Sequence, residues 1–175
     1  MPEVTPRRPW LRPVLVGLTI FALAAAGMAF IFFVHWTDVT EAQQSEAERT
    51  LNAAASQAGG GTPYIEFTED GAIIIHREQE DSVLTNFKTL TVLSWTPGDN
   101  KMLRLDYPSW FVRMKTASSL NLGTMIAAVR KDWANLDLSV SYEDLRRRGP
   151  ALLLDHQLDS GARIVIWTSA GNSGS

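Results

Sequence analysis

The chain has 175 residues, 45% of them hydrophobic and 20% charged, with 12 Gly, 8 Pro and no Cys; that length fits about one domain, and the composition excludes a disordered, collagen-like or coiled-coil chain. Sixteen basic against 19 acidic residues give a net charge of −3, which argues against a nucleic-acid partner, because neutralising phosphates takes a clustered surplus of Lys and Arg. Without Cys there are no disulfides, thiolate nucleophiles, iron–sulfur ligands or Cys-based zinc sites.

From Val14 to Val34 the sequence reads VLVGLTIFALAAAGMAFIFFV, without a charge and with Thr19 its one polar residue. A helix of this length covers a hydrocarbon core of about 30 Å, so the spacing predicts a transmembrane helix over 14–36. The 13 residues before it carry Arg7, Arg8 and Arg12 against Glu3, while Asp38, Glu41, Glu46 and Glu48 follow it. The positive-inside rule then puts residues 1–13 in the cytoplasm and the rest of the chain outside the bacterial inner membrane. Trp10 and Trp36 flank the span, where an amphipathic ring prefers the headgroup layer. With Arg7, Arg8, Arg12 and His35 they form the predicted membrane-interface set.

Two other readings compete for this segment. Ala22-Leu23-Ala24 has the small-x-small form of a signal-peptidase site, but cleavage there would expose AAGMAFIFFVHW to water, which is unfavourable for so apolar a terminus. Arg7-Arg8-Pro9-Trp10-Leu11-Arg12 resembles a twin-arginine export signal, with Pro6 where Ser or Thr usually precedes the pair; the simpler reading is the basic flank of a signal anchor. Ala22, Ala25, Ala26 and Ala29 offer small residues four apart on one helical face, a surface on which a second helix can dock closely. An Ala-rich face that meets only lipid is the plain alternative. His35 could ligate a tetrapyrrole metal or bond a headgroup, although one-helix light-harvesting polypeptides place their pigment-ligating His deeper in the span. No cofactor is expected to bind directly, and pigment or lipid contact stays open.

Residues 37–58 contain many helix formers and no Pro and end at Gly59-Gly60-Gly61, which predicts that the membrane helix continues outward as a stalk until the glycines stop it. The triple Gly and Thr62-Pro63 then mark a domain boundary. YIEF (64–67) with AIIIH (72–76), TLTVLSW (89–95) with KMLRLDY (101–107), and ALLLDHQL (151–158) with ARIVIWT (162–168) read as three hairpins of an antiparallel sheet. Between them, Pro108-Ser109 starts a short helix with Trp110, Phe111 and Met114 on one face. Leu122, Met125, Ile126, Val129 and Trp133 recur at helical spacing, which predicts a helix packed on the sheet. Leu136, Leu138 and Val140 alternate as an edge strand would. Ser141-Tyr142-Glu143-Asp144 has the form of a helix cap, and Arg146, Arg147 and Arg148 suit that helix's C-terminal end before Gly149-Pro150; an anionic headgroup is the alternative partner for these arginines.

The expected fold class is therefore α+β: a transmembrane helix over 14–36, a helical stalk and Gly linker over 37–61, a periplasmic antiparallel-sheet domain with two or three helices over 62–170, and a tail over 171–175. Chemistry leaves little trace. His35, His76 and His156 are widely separated and lack the helical spacing of a zinc pair, no Ser sits in a G-x-S-x-G elbow, and the glycine run follows a helix and has no Lys. The expected function is non-enzymatic: a single-pass accessory subunit that stabilises a larger membrane complex, with integral membrane proteins and lipid as partners. An assembly factor or envelope-binding module acting transiently is the alternative. Over residues 7 to 36 the layout resembles the small single-span subunits of bacterial photosynthetic reaction-centre and light-harvesting complexes, and equally those of respiratory complexes. It departs from the reaction-centre H subunit, whose globular domain would face the cytoplasm.

Overall fold

The computed structural model describes residues 11–59, 61–68, 72–77, 83–115, 120–122 and 138–170. The chain divides into two units, Met1–Trp36 and Thr37–Ser175. The first holds α1, an unbroken helix from Leu11 to Trp36; its 26 residues measure about 39 Å at 1.5 Å each.

The second unit is an α+β domain built on a seven-stranded sheet. Its strands are β1 (Thr37–Glu41), β2 (Ile65–Phe67), β3 (Ile73–Ile75), β4 (Thr89–Thr96), β5 (Lys101–Pro108), β8 (Leu152–Gln157) and β9 (Arg163–Ser169), in the order β1-β5-β4-β9-β8-β2-β3. A separate pair, β6 (Leu120–Asn121) and β7 (Ser139–Val140), makes a small second sheet. The helices are α2 (Gln44–Gln57), α3 (Ser109–Lys115) and α4 (Tyr142–Arg148).

All three predicted hairpins form: β2 with β3, β4 with β5, and β8 with β9. The β4–β5 and β8–β9 turns each use the left-handed region, at Asn100 (φ 48°) and Gly161 (φ 80°). The sheet is mixed rather than antiparallel, because β2 lies parallel to β8 with Ile65 opposite Leu154. Such a pair needs a long crossover, and here nearly the whole domain sequence lies between the two strands.

The predicted stalk is corrected. Thr37–Glu41 is not helix but the edge strand β1, paired antiparallel to β5 with Thr37 opposite Leu105 and Glu41 opposite Lys101. The β-branched Thr37, Val39 and Thr40 favour a pleated strand, and β5 supplies its hydrogen-bond partners. Helix α2 is separate, and the compact unit begins at Thr37, not at 62.

Each face of the central strands carries its own core. Leu93, Trp95, Met102 and Val165 meet Ala47, Leu51 and Ala54 of α2 and its C-cap Ala58; the small Ala side chains let the helix settle close on the sheet. On the other face Leu90, Val92, Leu105, Ile164 and Ile166 pack with Phe87, Val112, Leu138, Val140 and Leu145. Strand β4 is consequently buried from Leu90 to Trp95, as expected of a strand covered on both sides.

Helix α3 forms where expected, and Trp110 and Met114 share a face that is turned away from the core. Val112 is the fully buried residue, whereas Trp110 and Met114 are 56% and 61% exposed. At 100° per residue, Trp110 and Met114 lie within about 40° of each other and opposite Val112, so a core-facing Val112 turns both outward. Helix α4 matches its signature: Ser141 Oγ accepts from the Asp144 amide at 2.9 Å, and Asp144 accepts in return from the Ser141 amide, a complete capping box. The alternation at Leu138 and Val140 does form a strand, but in the small second sheet rather than at an edge of the main one. The helix predicted through Met125, Ile126, Val129 and Trp133, together with Leu136, lies outside the described residues.

Candidate functional site

The first candidate surface is α1 itself. Leu15, Leu18, Ile20, Phe21 and Leu23 are each more than half exposed, an apolar surface of the kind that marks a contact site. The one polar side chain of the run is satisfied internally, with Thr19 Oγ1 donating to the Leu15 carbonyl at 2.9 Å. Among the described residues no helix is long and apolar enough to cross a membrane.

Of the predicted docking residues, Ala22 is exposed. The side chains of Ala25, Ala26 and Ala29 lie outside the described residues. So do Arg7, Arg8 and Trp10, and the side chains of Arg12 and His35; Trp36 is half-buried.

Within the domain, a depression beside α2 holds about 180 Å³ and is lined by Gln44, Glu48, Asn52, Trp95, Gln157 and Arg163 among others. Arg163 dominates it electrostatically, yet the guanidinium is committed. Nε and Nη2 donate to the two oxygens of Asp155 at 2.8 and 2.7 Å, and Nη1 donates to Asn52 Oδ1 at 2.7 Å. Hydrogen bonding to Asp155 holds Arg163 protonated beyond its already high ordinary value, against the cost of burial. This grouping joins α2 to β8 and β9 and reads as a structural fork. Its members are far apart in sequence, and no local motif reveals them.

The two domain histidines do not come together. His76 Nε2 lies 3.0 Å from Glu66 Oε2 at the exposed β2–β3 edge. His156 packs its ring on Phe67 with centroids 4.4 Å apart. Glu66 and Phe67 are successive residues of β2 and so point to opposite faces of the sheet, which sets the two imidazoles on opposite sides. Burial holds His156 below the ordinary imidazole value, opposed by Asp155 and Asp159. No cluster of three or more potential metal ligands occurs among the described residues.

The third surface is one end of the sheet. Lys88 accepts on its carbonyl from the Ser109 amide and donates its own amide to Ser169, so it sits where α3 begins. Arg146 accepts on its carbonyl from the Thr85 amide, and Arg148 Nη2 donates to the Thr62 carbonyl at 2.7 Å. The run Arg146–Arg148 therefore ties loops to α4, with Arg147 also paired to Glu143 at 2.8 Å, in addition to complementing the helix dipole.

Comparison with known protein families, with curated proteins and with solved structures finds no match for the chain.

Proposed function

We propose that the chain is a bilayer-anchored accessory protein that works by contact rather than by turnover. In this reading α1 spans the bacterial inner membrane, residues 1–13 stay in the cytoplasm, and the α+β domain stands in the periplasm, where it stabilises a larger assembly of integral membrane proteins. The observation that carries the reading is the unbroken helix Leu11–Trp36, whose large described side chains are open to their surroundings, joined to a domain with its own two-sided core. The basic flank at Arg7, Arg8 and Arg12 supports the orientation, and the commitment of Arg163 to Asp155 and Asn52 supports a structural role for the depression beside α2. A photosynthetic or respiratory identity for the assembly rests on the layout of residues 7 to 36 alone.

A transient client-binding role is favoured by one feature. Strand β3 is an edge strand reading Ile73-Ile74-Ile75 with Ile74 exposed, and an edge without charge or Pro is a template for strand addition. Gentle solubilisation of a tagged copy separates the two. Stoichiometric recovery with a large complex through washing supports the subunit; recovery that disappears on washing supports the transient factor. Release of the protein from membranes by alkaline carbonate would remove the basis of both.

A further inference from the structure

We infer that the end of the domain bearing α3 lies on anionic phospholipid headgroups, with Trp110 and Met114 seated in the interfacial layer; this rests on the reading of α1 as a membrane anchor. The argument starts from the register of β1. Thr37, the residue after α1, lies opposite Leu105, so β1 enters the sheet toward the C-terminal end of β5. Three residues further along β5, about 10 Å at strand spacing, Pro108 leads into α3. Thr37, the first residue of the domain, therefore lies toward the same end of the sheet from which α3 projects.

That end has the chemistry of an interface binder. Trp110 and Met114 form an outward stripe on α3, with the ring of Trp110 set edge-on to Phe111 and Phe111 stacked on Tyr107 at 5.7 Å, so the exposed indole stands on a rigid aromatic base. Beside it are Lys88 and Arg113, both exposed, Lys88 held there by the bond from the Ser109 amide to its carbonyl; the arginines of α4 are half-buried and engaged, Arg147 with Glu143 and Arg148 with the Thr62 carbonyl. The opposite end of the sheet carries exposed Glu41, Glu48, Asp99 and Asp159, with Lys101 among them. Asp38 is also exposed beside Thr37, so the contact is carried by the Trp110–Met114 stripe with Lys88 and Arg113 beside it, an apolar surface with cations at its margin, which suits an anionic interface. Lipid is favoured over a protein occupant because the covalent link at Thr37 keeps this end within reach of the bilayer in every assembly state.

The chain contains no Cys, so single-site labelling needs no background substitutions. Full-length Met114→Cys and Asp159→Cys, each carrying a polarity-sensitive fluorophore, are reconstituted in vesicles of phosphatidylcholine with phosphatidylglycerol, with and without acyl chains brominated near the headgroup. The expected result is at least about twofold quenching at 114, none at 159, and weaker quenching at 114 in phosphatidylcholine alone. Protein that floats with the vesicles and resists carbonate but shows equal, low quenching at both sites overturns the inference and leaves the anchor intact. Equal quenching at 114 with and without phosphatidylglycerol overturns the role given to the basic residues. Protein that fails to float overturns the anchor reading itself, and the inference with it.

Discussion

Arg163 and Asp155 meet between β9 and β8 as a two-point fork, Nε to Oδ1 at 2.8 Å and Nη2 to Oδ2 at 2.7 Å. Both side chains are mostly covered, at 20% and 24% exposure, and a third donor of the same guanidinium reaches Asn52 on α2. Parallel charge-assisted bonds of this kind are stronger than an exposed ion pair. Asp155→Ala strands a half-sequestered cation and is expected to cost about 2 kcal/mol in urea unfolding of the detergent-solubilised chain. Arg163→Met with Asp155→Leu, which removes both charges, should cost less than the single change; a double loss equal to the sum of the singles would show that the fork contributes nothing as a pair.

Val112 and Trp110 differ by two positions on α3 and by their surroundings. Val112 is fully buried beside Leu90 and Leu105, while Trp110 is 56% exposed. Val112→Ala is expected to destabilise the domain by about 1–3 kcal/mol through lost apolar contact and a residual cavity. Trp110→Ser should change stability in detergent by under about 0.5 kcal/mol. Equal losses at the two positions would mean that α3 is packed the other way round.

Much of this was legible in the sequence, and the misses have local causes. The three hairpins were readable because turn residues interrupt alternating strands, as at Pro97-Gly98-Asp99-Asn100 and Asp159-Ser160-Gly161, and α4 because Ser141 and Asp144 spell their own cap. Strand β1 was hidden because its five residues precede an Ala-rich helix, and only β5, some sixty positions later, gives its amides partners. Spacing alone did not say which face of α3 the core would take; it takes the one that carries Val112. The Asn52–Arg163 bond joins residues 111 positions apart, beyond the reach of any spacing rule.

The cap on α4 gives a direct test of one legible element. Ser141→Ala removes the acceptor for the Asp144 amide, and losses at such caps are typically about 1 kcal/mol. Ser141→Asp keeps an acceptor and should recover most of the stability. Because Leu145 on the same helix is fully buried in the core, the loss should appear in global unfolding, measured by tryptophan fluorescence, rather than as local fraying.

His156 predicts a pH dependence with a definite sign. Burial lowers its pKa in the fold below the ordinary 6.5, with Asp155 and Asp159 pulling the other way. The unfolded chain therefore binds the proton first, so the stability linked to this group is complete above about 6.5 and is lost as the pH falls through 6.5 toward the lower folded value. Comparing urea midpoints at about pH 7.5 and about pH 5 should show a smaller drop in His156→Gln than in the parent. An equal drop in both would assign the acid sensitivity to other groups.

The proposed partner contact is tested on α1. Ala22 and Ala26 are four residues apart and so share a face, and van der Waals closeness between small residues is what holds helices together in lipid. Replacing both with Leu adds bulk at the point of closest approach while raising hydrophobicity, so membrane insertion should be preserved and recovery of the partner assembly should fall by about tenfold. Ile20→Phe adds bulk on the opposite side of the same helix and should leave recovery unchanged. If the Leu pair and Ile20→Phe behaved alike, the small-residue face would have no role in docking and the anchor would be held to its partner by the domain alone.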